Sequence, residues 1–145
     1  MDTSLSHVDH VALPAYDLDA THRFYAGVLG LDFRGEQEGR SELWGGRGFR
    51  LRSYAAAGGA LFDFFQVEGL ARPDDALPVG LRHVALAVGS RAAVEAWRAT
   101  LRAAGVWTSE LVDHDGTHDS VYCFDPNGHQ LEITWRRPHA AEPPR

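Results

Sequence analysis

The sequence predicts an α+β fold built from two copies of one module. Three observations carry that prediction. The tetrapeptide HVAL occurs at 10–13 and again at 83–86, so the chain repeats itself at about half its length. Each half has a histidine near its start and a carboxylate near its end: His10 and Asp63 are 53 residues apart, His83 and Glu132 are 49. Each half also runs strand, helix, then three strands.

The elements follow in order. HVDHVALPA alternates and is rich in Val and Leu, which predicts a strand over 7–14. Asp17 is placed to cap a helix whose apolar residues Ala20, Phe24, Tyr25, Val28 and Leu29 recur at helical spacing, with Gly30 as its stop. Three strands are expected at 31–38, 48–55 and 59–67, with SELWGGRG (41–48) as a loop that has room for one helical turn. In the second half a strand at 81–88 precedes Ser90 as N-cap. The helix it starts carries Val94, Trp97 and Leu101 on one face and stops at Gly105. Strands are expected at 106–112, 118–124 and 130–136, with DPNG (125–128) as a tight turn. The chain is thus read as one domain of two modules, 5–67 and 81–136, joined by 68–80 and followed by a flexible proline-rich tail, 137–145.

Composition narrows the function classes. No apolar run approaches the roughly 18 residues that span a bilayer, so no membrane partner is expected. The first ten residues lack a basic stretch followed by an apolar one, and the single Cys123 has no internal disulfide partner; both predict a cytoplasmic protein. A net charge of −6 argues against nucleic acid as the partner. All 14 basic residues are Arg, and RGFRLR (47–52) is read as a solvated strand face or as a set of forks for an anionic substrate.

The carboxylates are the informative residues. Side chains alternate along a strand, so Leu131, Ile133 and Trp135 share one face and Gln130, Glu132 and Thr134 the other. Phe62 and Phe64 likewise oppose Leu61, Asp63 and Phe65. An ionised carboxylate among such apolar neighbours costs several kcal/mol unless a metal, an Arg or water compensates it. His10 and His83 fall opposite Val11/Leu13 and Val84/Leu86. Their same-face neighbours Ala12, Ala85 and Ala87 are small enough to leave room for a substrate. If the modules pack about a pseudo-twofold axis, His10, Asp63, His83 and Glu132 converge as a divalent-metal set. Two His and one carboxylate suit Fe(II); two His and two carboxylates suit Zn, Ni, Co or Mn.

With HVDHVALPAYDLDATHRFYAGVLGLDF (7–33), LRHVALAV (81–88) and VYCFDPNGHQLEIT (121–134), the chain resembles the vicinal oxygen chelate superfamily of glyoxalases, epimerases, extradiol dioxygenases and bleomycin-binding proteins. The resemblance spans 5–136. It implies paired βαβββ modules in a cupped mixed sheet around a central metal, held by His10, His83 and Glu132. Asp63 departs from the Glu or Gln usual at its position and is read as a ligand, a ligand through water, or an outer partner. The superfamily often forms homodimers, so a homodimer is expected here.

The resemblance implies an enzyme with one divalent metal, Fe, Zn, Ni, Co or Mn, whose small substrate chelates it through two adjacent oxygens. Glyoxalase- or epimerase-like proton transfer is favoured, with Glu132 or Asp63 as base. The alternative is an extradiol dioxygenase with Fe(II), assisted by Tyr122 and by His114 or His118 as acid or base. A metal-free drug-binding protein is the third reading. Trp44 and Phe65 are candidates to line a pocket for an apolar or aromatic substrate. His7, His22, His129 and His139 are read as bystanders, and Cys123 as a buried packing residue.

Overall fold

A computed structural model describes residues 1 and 3–138 of the chain. The expectations for His139 and for the end of the tail, 139–145, lie outside the described residues. The chain divides into two compact units, Met1–Pro73 and Asp74–Arg145.

The first unit holds β1 (His10–Pro14), α1 (Leu18–His22), β2 (Asp32–Ser41), β3 (Arg47–Ala55) and β4 (Leu61–Val67). Its sheet order is β1-β4-β3-β2. β1 runs parallel to β4, and the other pairs are antiparallel. Asp17 caps α1 as the sequence predicts, its carboxylate accepting the N–H groups of Asp19 and Ala20. The helix does not stay α-helical to Val28. Arg23–Val28 is π-helical, and Leu29 N–H donates to Phe24 O at 2.9 Å. The wider turn rotates less per residue, so the neighbours Phe24 and Tyr25 both reach the core. Tyr25 is fully buried, with its ring 4.4 Å from that of Phe64. The helical turn allowed for in 41–48 is a 3₁₀ turn, Glu42–Trp44.

The second unit repeats the plan with β5 (His83–Ala87), α2 (Arg91–Ala103), β6 (Val112–His114), β7 (His118–Phe124) and β8 (Gln130–Arg136), in the order β5-β8-β7-β6. Both units are therefore βαβββ modules with mixed four-stranded sheets. Ser90 caps α2 by accepting the Ala93 N–H at 3.1 Å. Val94 and Leu101 of α2 are fully buried, as are Val121 and Leu131 of the sheet. In the turn after β7, Asp125 Oδ1 accepts the N–H groups of Asn127 and His129, both at 2.8 Å.

One predicted strand is displaced. A strand is expected at 106–112, but the strand is Val112–His114. Before it, only Thr108 bridges to Cys123. The Ser109 N–H donates to the Tyr122 carbonyl at 2.9 Å, but its own carbonyl is taken by Arg98 of α2 at 3.0 Å, so the segment is shared between sheet and helix and does not extend as a regular ladder.

Candidate functional site

The repeat reaches the level of strand register. In β1–β4, His10 pairs with Leu61 and Ala12 with Asp63. In β5–β8, His83 pairs with Gln130 and Ala85 with Glu132. Each histidine thus sits two residues before the alanine that faces its carboxylate.

In the first unit Asp63 is half-buried and accepts a hydrogen bond from the Ser53 hydroxyl, its cross-strand neighbour, at 2.6 Å. His10 Nδ1 lies 2.8 Å from the Asp9 carboxylate. That hydrogen bond is the main cause that raises the His10 pKa above its ordinary value, and the charge of Asp63 adds to it. Ala12, Leu13, Pro14, Trp44, Phe65 and Val67 help line a cavity of about 730 Å³, with Arg47 among its residues. Phe65 shares Asp63's face of β4. Trp44, Phe49 and Phe65 meet edge to face. The nearby arginines are otherwise engaged. Arg50 and Arg52 both bond Glu36, and Arg52 also reaches the Leu18 carbonyl at 3.0 Å. Their forks hold the sheet and the helix start together.

The second unit gathers more chemistry. Glu132 is buried, with its side chain 6% exposed. Its Oε1 accepts from the Ser120 hydroxyl, and its Oε2 lies 2.8 Å from His83 Nε2. His118 Nε2 and His114 Nε2 lie 3.7 and 3.9 Å from Oε1. The rings of His114 and His118 stack at 4.1 Å and 10°. They face each other across the β6–β7 hairpin, where their backbones pair directly. Tyr122, opposite Glu132 in the ladder, places its hydroxyl 3.2 Å from His114 Nε2. Burial, then the charge of Glu132, raises the Tyr122 pKa; burial, then His114, lowers that of His118. Burial pushes the Cys123 thiol up to about 12, in keeping with a packing residue.

The tautomers say what this cluster can hold. His83 Nδ1 lies 2.9 Å from the Gly80 carbonyl, which can only accept, so Nδ1 carries the proton. A neutral His83 then turns a bare Nε2 lone pair on Glu132. Two lone pairs at 2.8 Å repel unless a proton or a cation lies between them. The Thr117 hydroxyl donates to the His114 carbonyl at 2.6 Å and must therefore accept from His118 Nδ1 at 2.8 Å. His118 Nε2 is bare as well. Anchored Nδ1–H groups and free Nε2 lone pairs beside a buried carboxylate fit a divalent cation. His114, His118 and Glu132 offer ligand atoms that all lie within 4.8 Å of one another.

A family model described as Glyoxalase/Bleomycin resistance protein/Dioxygenase superfamily matches residues 7–133. The chain belongs to that superfamily. Among solved structures, the glyoxalase family protein from Enterococcus faecalis is 28% identical, with a TM-score of 0.66, over 88% of this chain and 96% of that one. The lactoylglutathione lyase from Agrobacterium tumefaciens is 24% identical at a TM-score of 0.68, over 91% and 95%. A glyoxylase/bleomycin resistance protein/dioxygenase domain from Frankia sp. EAN1pec is 22% identical at 0.77, over 92% and 100%. A comparison with curated proteins found no match. The superfamily's fold accounts for both modules.

The structure thus places His10 and Asp63 on neighbouring strands of one unit and brings His83 into contact with Glu132 in the other. His114 and Tyr122 stand beside Glu132 as well. His114 closes β6, beyond the strand expected at 106–112, and His118 opens β7 at the start of the strand expected at 118–124. Sequence reasoning took His118 only as an acid or base and missed Ser53, Ser120, Thr117 and Gln130. The Asp-Gly-Thr segment between the two histidines, a tight-turn signal, is the cue that could have paired them.

Proposed function

We propose that the protein is a metal-dependent enzyme that moves a proton between neighbouring carbons of a small substrate, in the manner of a glyoxalase or an epimerase. The observation that carries this reading is Nε2 of His83 set 2.8 Å from the buried Glu132 carboxylate, with Nδ1 anchored on a backbone carbonyl. His83 and Glu132 would hold a divalent ion, Fe, Zn, Ni, Co or Mn, with His10 and Asp63 as the repeat-related pair of the first unit. When bound, the ion supplies a Lewis acid for two adjacent substrate oxygens. Glu132 is the base, and Ser120 holds its carboxylate in place. Asp63, steadied by Ser53, is the equivalent group in the first unit. The cavity beside Trp44 and Phe65 suits an apolar substituent on the substrate.

The second reading is an extradiol dioxygenase with Fe(II), favoured by the contact between the Tyr122 hydroxyl and His114 Nε2. One experiment separates the two. The metal-loaded protein is incubated in D2O with α-hydroxycarbonyl compounds and 2-oxoaldehyde adducts, and separately with catechols under oxygen. Solvent deuterium on substrate carbon, abolished in Glu132→Gln, supports proton transfer. Oxygen uptake with catechols and no deuterium incorporation overturns it in favour of the dioxygenase.

A further inference from the structure

The β6–β7 hairpin brings two imidazoles to the far oxygen of Glu132, the one His83 does not face. His83 meets Oε2, whereas His114 and His118 meet Oε1. The three ligand atoms come from one unit, and the scaffold that aims them is short-range. The backbones of His114 and His118 are cross-strand partners, and Thr117 N–H closes the turn on the His114 carbonyl at 2.9 Å. Asp113 Oδ1 accepts the Gly116 N–H at 2.8 Å in the same turn. The Thr117 hydroxyl fixes which nitrogen of His118 stays bare. None of these contacts involves the first unit.

We propose that the second unit carries a complete divalent-cation site of its own, formed by Nε2 of His114, Nε2 of His118 and Oε1 of Glu132, and needing neither His10 nor Asp63. Two imidazoles and one carboxylate suit Zn, Co, Ni or Fe(II) and disfavour Mg or Ca, which prefer all-oxygen cages. Three protein ligands leave at least one position for water or substrate. Metal–nitrogen bonds of about 2.0–2.1 Å place tetrahedral donors roughly 3.3–3.4 Å apart. The observed 3.7 and 3.9 Å to Glu132 exceed that by a few tenths of an ångström, and all three donor atoms lie within 4.8 Å of one another, so the site closes by side-chain rotations. Binding also takes His114 Nε2 from Tyr122, which frees the phenol hydroxyl beside the site. This site goes beyond the His83–Glu132 centre proposed above and does not rest on it. If both form, Glu132 serves one cation with each oxygen.

The test is a Co(II) titration of the chelator-stripped full chain, read by visible absorption and by metal content after equilibrium dialysis. Three variants are compared: His114→Gln/His118→Gln, His10→Ala/Asp63→Ala, and Thr117→Val. The proposal expects the His10→Ala/Asp63→Ala protein to keep a Co(II) site that the His114→Gln/His118→Gln protein lacks. Thr117→Val keeps all three ligands but frees His118 Nδ1. Its dissociation constant should rise roughly ten- to a hundredfold. That variant keeps the test open should the double glutamine protein fail to fold. Wild-type stoichiometry and affinity in a folded double glutamine protein, or in the Thr117 variant where that protein does not fold, would overturn the proposal. So would loss of all binding in His10→Ala/Asp63→Ala, a result that would leave the four-residue set expected from the sequence standing. Binding lost only in the His114→Gln/His118→Gln protein would establish the hairpin site and remove the four-residue set expected from the sequence.

Discussion

Gly80 connects the backbone to the candidate site. Its φ of +86° suits glycine, and a Cβ there would sit 3.6 Å from the Tyr122 ring. Its carbonyl orients His83, while its N–H donates to Gln130 Oε1 at 2.8 Å. Gln130 Nε2 donates in turn to the carbonyls of Leu77 and Pro78, so this one amide clamps the turn that aims His83. Gln130→Leu keeps the bulk and removes the clamp. Its metal affinity, measured by competition with a chelator, should fall roughly ten- to a hundredfold. An unchanged affinity would show that His83 is held some other way. His10, His83, Asp63 and Glu132 were legible in the sequence because each stands out by type at a repeated place. Gln130 and the serines were not, since a polar residue on a strand becomes a partner only through its register. Ser53 faces Asp63 directly, whereas Ser120 reaches Glu132 from the position paired with Thr134.

At the scale of elements, capping and periodicity were the most readable signals. Asp17 and Ser90 start the helices that the sequence predicts, and strands β3, β4, β7 and β8 fall within a residue or two of their expected bounds. The π-helical stretch and the displaced β6 were not readable. Both follow from tertiary demands: two adjacent aromatics entering one core, and Arg98 claiming the backbone at Ser109. The pairing of β2 with β3 makes its own prediction. Arg52 first, then Arg50, holds the Glu36 pKa below its ordinary value of 4.5. A lowered folded pKa contributes stability that is complete above the ordinary value and is lost as pH falls through the folded one. The melting temperature of the wild type should therefore drop between about pH 5 and pH 3 more than that of Glu36→Gln. Equal slopes would show that the arginines do not favour the charged form.

At the scale of the molecule, the repeat predicted the shared topology because each module must bury one helix face on one sheet face. Each unit has its own core, with Tyr25, Tyr54 and Phe64 in the first and Val94, Leu101 and Leu131 in the second. Leu101 is fully buried, so Leu101→Ala should cost about 2–5 kcal/mol in urea unfolding. A cost under about 1 kcal/mol would mean that α2 is not seated as described. No described helix is long and apolar enough to cross a membrane. The central claim is that Glu132 belongs to a metal centre, and metal content tests it most directly. Untagged protein and Glu132→Ala are purified side by side and analysed by mass spectrometry. The account predicts at least one equivalent of a first-row divalent metal in the wild type, lost in the variant. A wild type that stays metal-free after reconstitution with Fe, Zn, Ni, Co and Mn would contradict it.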